Sequence, residues 1–166
     1  MATTMIPTEE TVLQPRMDNP AVLLPGAYSA LQALADSADA GGLPSSLVDL
    51  VHIRASQING CSMCLEMHAR AAKSWGESDQ RLFAVGAWRD APFYSGAEKA
   101  ALALTESVTR LSDRTDPVPD DVWEEATRYF DETALAALLM RIVCINAWNR
   151  LNVPTRQVAG TVPLPR

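Results

Sequence analysis

The sequence is poor in aromatic residues, poor in lysine and nearly without histidine. Four Trp, three Tyr and three Phe cannot fill a core, so alanine and leucine must do it. Ala- and Leu-rich packing with few β-branched runs favours helices over strands. Lys73 and Lys99 are the only lysines, and the arginines are scattered. With no concentrated basic face and a net charge of −6, nucleic acid is not expected as a partner. Three cysteines in 166 residues cannot staple a disulfide scaffold. Repeats and low-complexity runs are missing, and 48% hydrophobic residues is too high for a disordered or collagen-like chain. No apolar stretch approaches the roughly 20 residues that span a bilayer, so no membrane is expected. The N-terminal MATTMIPTEE has neither the basic nor the apolar region of a secretory signal, and the expected location is the cytoplasm.

What remains is one all-α domain with proline-rich ends. Pro7, Pro15, Pro20 and Pro25 forbid a long helix in residues 1–25. That segment reads as an arm that lies on the domain or wraps a neighbour. Residues 26–153 form the helical domain, and 154–166, with Pro154, Pro163 and Pro165, form a tail. Between the ends, apolar spacing predicts about seven helical segments. Gly41-Gly42 stops the first, and Asn59-Gly60 stops the one opened by Pro44-Ser45-Ser46. The next runs from near Cys61 to Trp75. Ser78 caps a short helix through Trp88, and Ser95 with Glu98 forms a capping-box pattern. Asp120-Asp121 and Asp131-Glu132-Thr133 open the last two, the final one being the most apolar. No period-two stretch is long enough for a strand.

The chemistry concentrates in Gly60-Cys61-Ser62-Met63-Cys64-Leu65-Glu66-Met67-His68. Positions i, i+3 and i+7 share a helix face, so Cys61, Cys64 and His68 point the same way. The first turn of a helix offers free N–H groups and the positive end of the dipole, both of which stabilise a thiolate. A nearby imidazole lowers a thiol pKa further. The stretch therefore holds a nucleophile, a resolving thiol and a base, the minimum for dithiol redox chemistry with no bound cofactor. Zinc is the competing reading, but it needs four ligands. The chain has no second C-x-x-C and offers only His52, Cys144 and nearby carboxylates, so no metal is expected. A thioredoxin-type site would need a βαβ setting, which the pattern lacks. Cys144 lies mid-helix in an apolar run and reads as an inert buried thiol. Met63, Met67, Trp75, Phe83 and Trp88 read as core or subunit interface, and Glu66 as a solvated side chain.

The run from Asp49 to His68, containing S-Q-I-N-G-C-x-x-C-x-x-x-H without a gap, closely resembles the AhpD-like alkylhydroperoxidases of the carboxymuconolactone decarboxylase superfamily. Ile145-Asn146-Ala147-Trp148-Asn149-Arg150-Leu151-Asn152 resembles the last-helix segment of many small members, so the likeness covers residues from about 43 to 153. The resemblance implies a compact AhpD-like multi-helix fold and a thiol-dependent peroxidase acting on alkyl hydroperoxides. It makes Cys64 the attacking thiol, Cys61 its disulfide partner and His68 the relay base. Asp49 stands where the family usually has Glu. Being one methylene shorter, it is expected to reach His68 through a water or to support it less. His52, three residues on, either assists the relay or is an ordinary partly buried histidine. Trp148 and Asn146 line the site or an interface. An external dithiol reductant or a peroxiredoxin partner would reset the disulfide, and a homo-oligomer, trimer or hexamer, is implied. The alternatives are a non-peroxidase member that senses redox state or binds metal, and a decarboxylase-like lyase. The lyase branch lacks the redox C-x-x-C, although Arg54 and Arg70 could line an anion pocket.

Overall fold

The computed structural model describes residues 12–161. Pro7 and the start of the expected arm, and Pro163 and Pro165 of the expected tail, lie outside the described residues. Eight α-helices and no strand occur among those described. They are α1 (Pro20–Leu23), α2 (Ala27–Asp36), α3 (Ser45–Asn59), α4 (Ser62–Ser74), α5 (Asp79–Ala84), α6 (Gly96–Thr109), α7 (Asp120–Tyr129) and α8 (Glu132–Thr155). Short 3₁₀ segments cover Ser37–Gly41, Val85–Ala87 and Leu111–Asp113.

Helix ends follow side-chain chemistry. The Ser78 hydroxyl accepts from Arg81 N, and Ser95 and Glu98 satisfy each other's backbone donors in a complete capping box. Asp131 accepts from Ala134 N at the head of α8. Gly60 closes α3 in the left-handed region (φ +70°), which turns the chain directly into α4.

Helix α3 is the axle of the domain. Leu47, Leu50, Val51, Ile53 and Ala55 are buried on several sides of it, as are the polar Asp49, His52 and Ser56. A helix buried all round sits at the centre of its fold. Leu47 and Val51 pack with Ala101, Leu104, Leu138 and Ile142. Leu50 and Ile53 pack the other way, with Leu82, Val85, Trp88 and Leu102. A third, small cluster joins Ala55 and Ile145 to Cys61 and Cys64. The thiols are therefore part of the core. Of the bulky residues expected in core or interface, Trp88 is buried, whereas Trp75 and Phe83 stand exposed.

Two sequence expectations change at α8. Pro154 does not begin the tail but lies inside the helix, which runs on to Thr155. The arm meets this end of the helix: Arg16 N donates to Thr155 O (2.8 Å) and Arg16 Nη1 to Pro154 O (3.0 Å), serving carbonyls that a helix end leaves unpaired. Gln157 Nε2 returns a bond to Met17 O (2.9 Å), and Ala21 of α1 is buried. The 24-residue α8 is also long and apolar enough, by length and composition alone, to cross a membrane, contrary to the expectation that no stretch approaches a span. In the fold Asn146, Asn149 and Asn152 are buried and hydrogen-bonded to other parts of the domain, the role of a core helix.

Gly41 marks the closest approach of the Ser37–Gly41 segment to α8. A Cβ there would overlap Ala137 Cβ and crowd Thr133 O. Gly41→Ala is expected to destabilise the fold by about 1–3 kcal/mol, the usual cost of overpacking, in chemical denaturation. In an Ala137→Gly background the same change should cost much less, and equal costs in both backgrounds would show that the two positions do not meet.

Candidate active site

The Asn59-Gly60 turn delivers Cys61 to the N-cap of α4. Its backbone is extended (φ −88°, ψ 94°), and its Sγ accepts from Cys64 N at 3.4 Å. Cys61 N is held by Ser56 O (3.0 Å), so the turn is tied back to α3. Both thiols are free, and their residues are only 3% and 2% exposed, so the pair is screened from water.

A polar ladder on α8 closes over the sulfurs. Asn152 Nδ2 donates to Cys64 Sγ (3.2 Å), and Asn152 Oδ1 accepts from Asn19 Nδ2 of the arm (2.7 Å). Asn149 Nδ2 donates to Ser56 Oγ (3.2 Å). Asn59 Nδ2 donates to both Asn149 Oδ1 and Asn146 Oδ1 (2.9 Å each), and Asn146 Nδ2 continues to Thr109 Oγ1 (3.1 Å). Buried amides satisfied in this way rigidify the wall that faces the thiols.

These contacts divide the charge of the pair unequally. The Cys64 thiol donates to Cys61 and, with the Cys64 backbone N–H and the Asn152 and Asn149 amides, brings Cys61 from 9.0 to about 6 against the cost of burial. Cys64 is pushed up, first by giving its proton to Cys61 and then by burial. These contacts favour negative charge on Cys61 over Cys64.

One turn further along α4, His68 meets α3. Its Nδ1 lies 3.1 Å from Asp49 Oδ1 and 3.4 Å from His52 Nδ1. The expectation for Asp49 is corrected here: the shorter side chain reaches His68 directly, because α3 and α4 pack closely. The two imidazoles meet edge to face, with centroids 4.3 Å apart. Burial, then the neighbouring His68 and Arg141, hold His52 well below the usual imidazole range, so it is neutral. His52 is thus joined to the relay pair. No hydrogen bond links His68 to either sulfur among the described residues. Asp49, His52 and His68 border a cavity of about 380 Å³, together with Arg141 and Asp39, which pair with each other. The potential ligand atoms of Asp49, His52 and His68 lie within 4.8 Å of one another, whereas the cysteines are not in that group.

The remaining candidates fall outside the sulfur contacts. Asn146 is a rung of the ladder and does not touch the thiols. Trp148 packs beside the cysteine cluster and stacks edge to face on Tyr28, with centroids 5.7 Å apart. Cys144 is buried, and burial raises its pKa, as suits an inert thiol. Arg54 borders a second cavity but is bound to Glu106 at 2.7 Å. Glu66 forms a surface pair with Arg70. Asn152, Asn149, Ser56 and Asn19 were not singled out from sequence. Asn146, Asn149 and Asn152 recur every three residues in an apolar helix, and that spacing is the signal that could have found the ladder.

A model of the carboxymuconolactone decarboxylase family matches residues 25–107, which include both α4 cysteines. The chain belongs to this family. The uncharacterized protein YdfG of Bacillus subtilis is 39% identical over 105 residues, 63% of this chain and 70% of that protein. The uncharacterized YnjA of Escherichia coli is 32% identical over 105 residues, covering 62% of this chain and 55% of YnjA. Among solved structures, a protein of unknown function from Agrobacterium tumefaciens, described in connection with the antioxidant defence protein AhpD, superposes with a TM-score of 0.82. It is 30% identical and covers 90% of this chain and 100% of its own. The apo debrominase Bmp8 shares the fold, with a TM-score of 0.70 at 22% identity over 82% of this chain and 73% of Bmp8.

The thiolate ultraviolet absorbance of the reduced protein is expected to rise through about pH 6, since the charge on Cys61 is present above that value and lost below it. Cys61→Ser should remove this step. Asn152→Ala should move it up, since the Asn152 amide helps to hold Cys61 low. A single step near the ordinary thiol value in the unmodified protein would overturn the charge assignment.

Proposed function

We propose that this protein is a thiol-dependent peroxidase that reduces alkyl hydroperoxides with the Cys61–Cys64 pair. The observation that carries the reading is the buried dithiol at the head of α4, with its charge stabilised at the N-cap and an amide donor on Cys64. The resemblance to AhpD-like proteins and the likeness to the Agrobacterium protein support it.

Cys64 Sγ attacks the distal peroxide oxygen as its proton passes along the existing hydrogen bond to the Cys61 thiolate. The O–O bond breaks, and the alkoxide leaves as the alcohol with a proton from the Asp49–His68 pair. His68 then takes the proton of Cys61, whose sulfur attacks the Cys64 sulfenic acid. The departing hydroxide takes that proton from His68 and leaves as water as the Cys61–Cys64 disulfide forms, completing a two-electron reduction. An external dithiol, small or carried by a peroxiredoxin-type partner, supplies two electrons to reopen it.

Reduced protein mixed with one equivalent of an organic hydroperoxide should lose two thiols, mapped by mass spectrometry to Cys61 and Cys64, far faster than glutathione does. Cys64→Ser should abolish turnover, Cys61→Ser should accumulate sulfenic acid on Cys64, and Cys144→Ser should turn over normally. Sulfenic acid trapped on Cys61 in Cys64→Ser would reverse the two roles. Thiol loss no faster than that of glutathione would refute the peroxidase reading. Asp49→Asn is expected to slow the reaction about tenfold or more, the lower part of the usual range for a proton-transfer group, and to alter its pH profile. An unchanged profile would remove Asp49 from the mechanism.

Assembly into a homotrimer or hexamer is part of the same proposal. Exposed Phe83, Trp75, Val22 and Leu24 offer apolar side chains that subunit contacts would bury. Sedimentation equilibrium should return an oligomer mass, and a monomer at micromolar concentration would contradict it.

A further inference from the structure

We propose that Asp49, His52 and His68 form a binding site for a divalent transition ion of the zinc class, separate from the thiols. Three donor atoms converge there from two helices. Asp49 Oδ1 and His68 Nδ1 are 3.1 Å apart, and His68 Nδ1 and His52 Nδ1 are 3.4 Å apart. Ligands about 2.0–2.1 Å from a tetrahedral zinc ion lie about 3.3 Å from one another. The two measured separations bracket that edge, and the donor atoms of all three residues lie within 4.8 Å of one another.

Proton accounting points the same way. A neutral imidazole carries one N–H. If His68 Nδ1 holds its proton for Asp49, the lone pair of His52 Nδ1 shares that single donor at 3.4 Å. The His52 proton must then sit on Nε2, which is buried and has no hydrogen-bond partner among the described residues. If His52 Nδ1 carries the proton instead and donates to His68, the Asp49 carboxylate faces a bare nitrogen lone pair at 3.1 Å. A cation at their centre would instead take the Asp49 oxygen and both Nδ1 lone pairs, with each imidazole proton on Nε2, so that the two Nδ1 atoms no longer compete for one proton. His52 is itself only 9% exposed and aims its Nδ1 at this point. Nothing in apolar packing calls for an imidazole there.

The donor set selects the class of ion. Two imidazoles and one carboxylate suit zinc and its first-row neighbours, whereas calcium and magnesium take oxygen ligands. The adjoining cavity leaves room for water as a fourth ligand and a path for entry. Arg141 also borders that cavity, but its charge is engaged by Asp39. Occupancy would take His68 Nδ1 and Asp49 away from proton relay, so zinc should slow thiol oxidation while leaving both thiols free. That consequence rests on the peroxidase reading, whereas binding does not.

The test is zinc titration of the reduced, metal-free protein by calorimetry, with cobalt(II) as a spectroscopic substitute. The expected result is one ion per chain, retained in a Cys61→Ser/Cys64→Ser double variant. Cobalt should show tetrahedral visible bands without sulfur-to-cobalt charge transfer. His52→Leu should weaken zinc at least about 100-fold, the upper range for losing a supporting group of a metal site, with circular dichroism reporting the fold. Charge transfer from sulfur in the unmodified protein, loss of binding in the double cysteine variant, or unchanged binding in folded His52→Leu would each overturn the site, as would no uptake at micromolar zinc. These outcomes are read without peroxide, so they stand apart from any failure of peroxidase activity.

Discussion

The structure depends on one constraint: α3 runs through the middle of the domain carrying polar groups that are almost wholly buried. A buried polar group without a partner costs about 1–3 kcal/mol. Asp49, His52, Ser56 and the neighbouring Asn59 therefore dictate what packs against them. On one side α4 must present His68, and on the other α8 must present Asn146 and Asn149. The helices are held in register by these pairings as well as by the leucines between them.

That register places the sulfurs. Gly60 sends the chain from α3 into α4 within one residue, so Cys61 arrives at a helix N-terminus already tied to Ser56. The backbone donor at the cap and the Cys64 thiol then hold negative charge on Cys61 in a place where burial alone would oppose it. Asp49 and His68 occupy the far end of the same interface. The two thiols and the carboxylate–imidazole pair are thus laid out along a single helix pair.

Much of this was legible in the sequence wherever a local rule applied. Ser78, Ser95 and Asp131 mark helix starts because their side chains cap within one turn, and Gly60 marks a stop because only the left-handed region turns the chain there. The C-x-x-C and His68 face each other's turn for the same local reason. What was not legible depends on residues far apart. The contact of His52 with His68 requires α3 and α4 to close to hydrogen-bonding distance. Asn152 reaches Cys64 only because α8 crosses the thiols. The helix runs through Pro154 to an end where Arg16, far away in the chain, bonds the carbonyls of its last turn. Direct contact between Asp49 and His68 is likewise set by interhelical spacing, which side-chain length alone does not reveal.

The ladder on α8 also sets an order of events during synthesis. The cysteines emerge from the ribosome long before Asn149 and Asn152, and chains fold broadly from the N-terminus as they are made. Until the last helix docks, Cys64 has no amide donor and Asn19 has no residue 152 to bond. Nascent chains therefore lack the amide wall over the thiols, which closes only when the polypeptide is nearly complete.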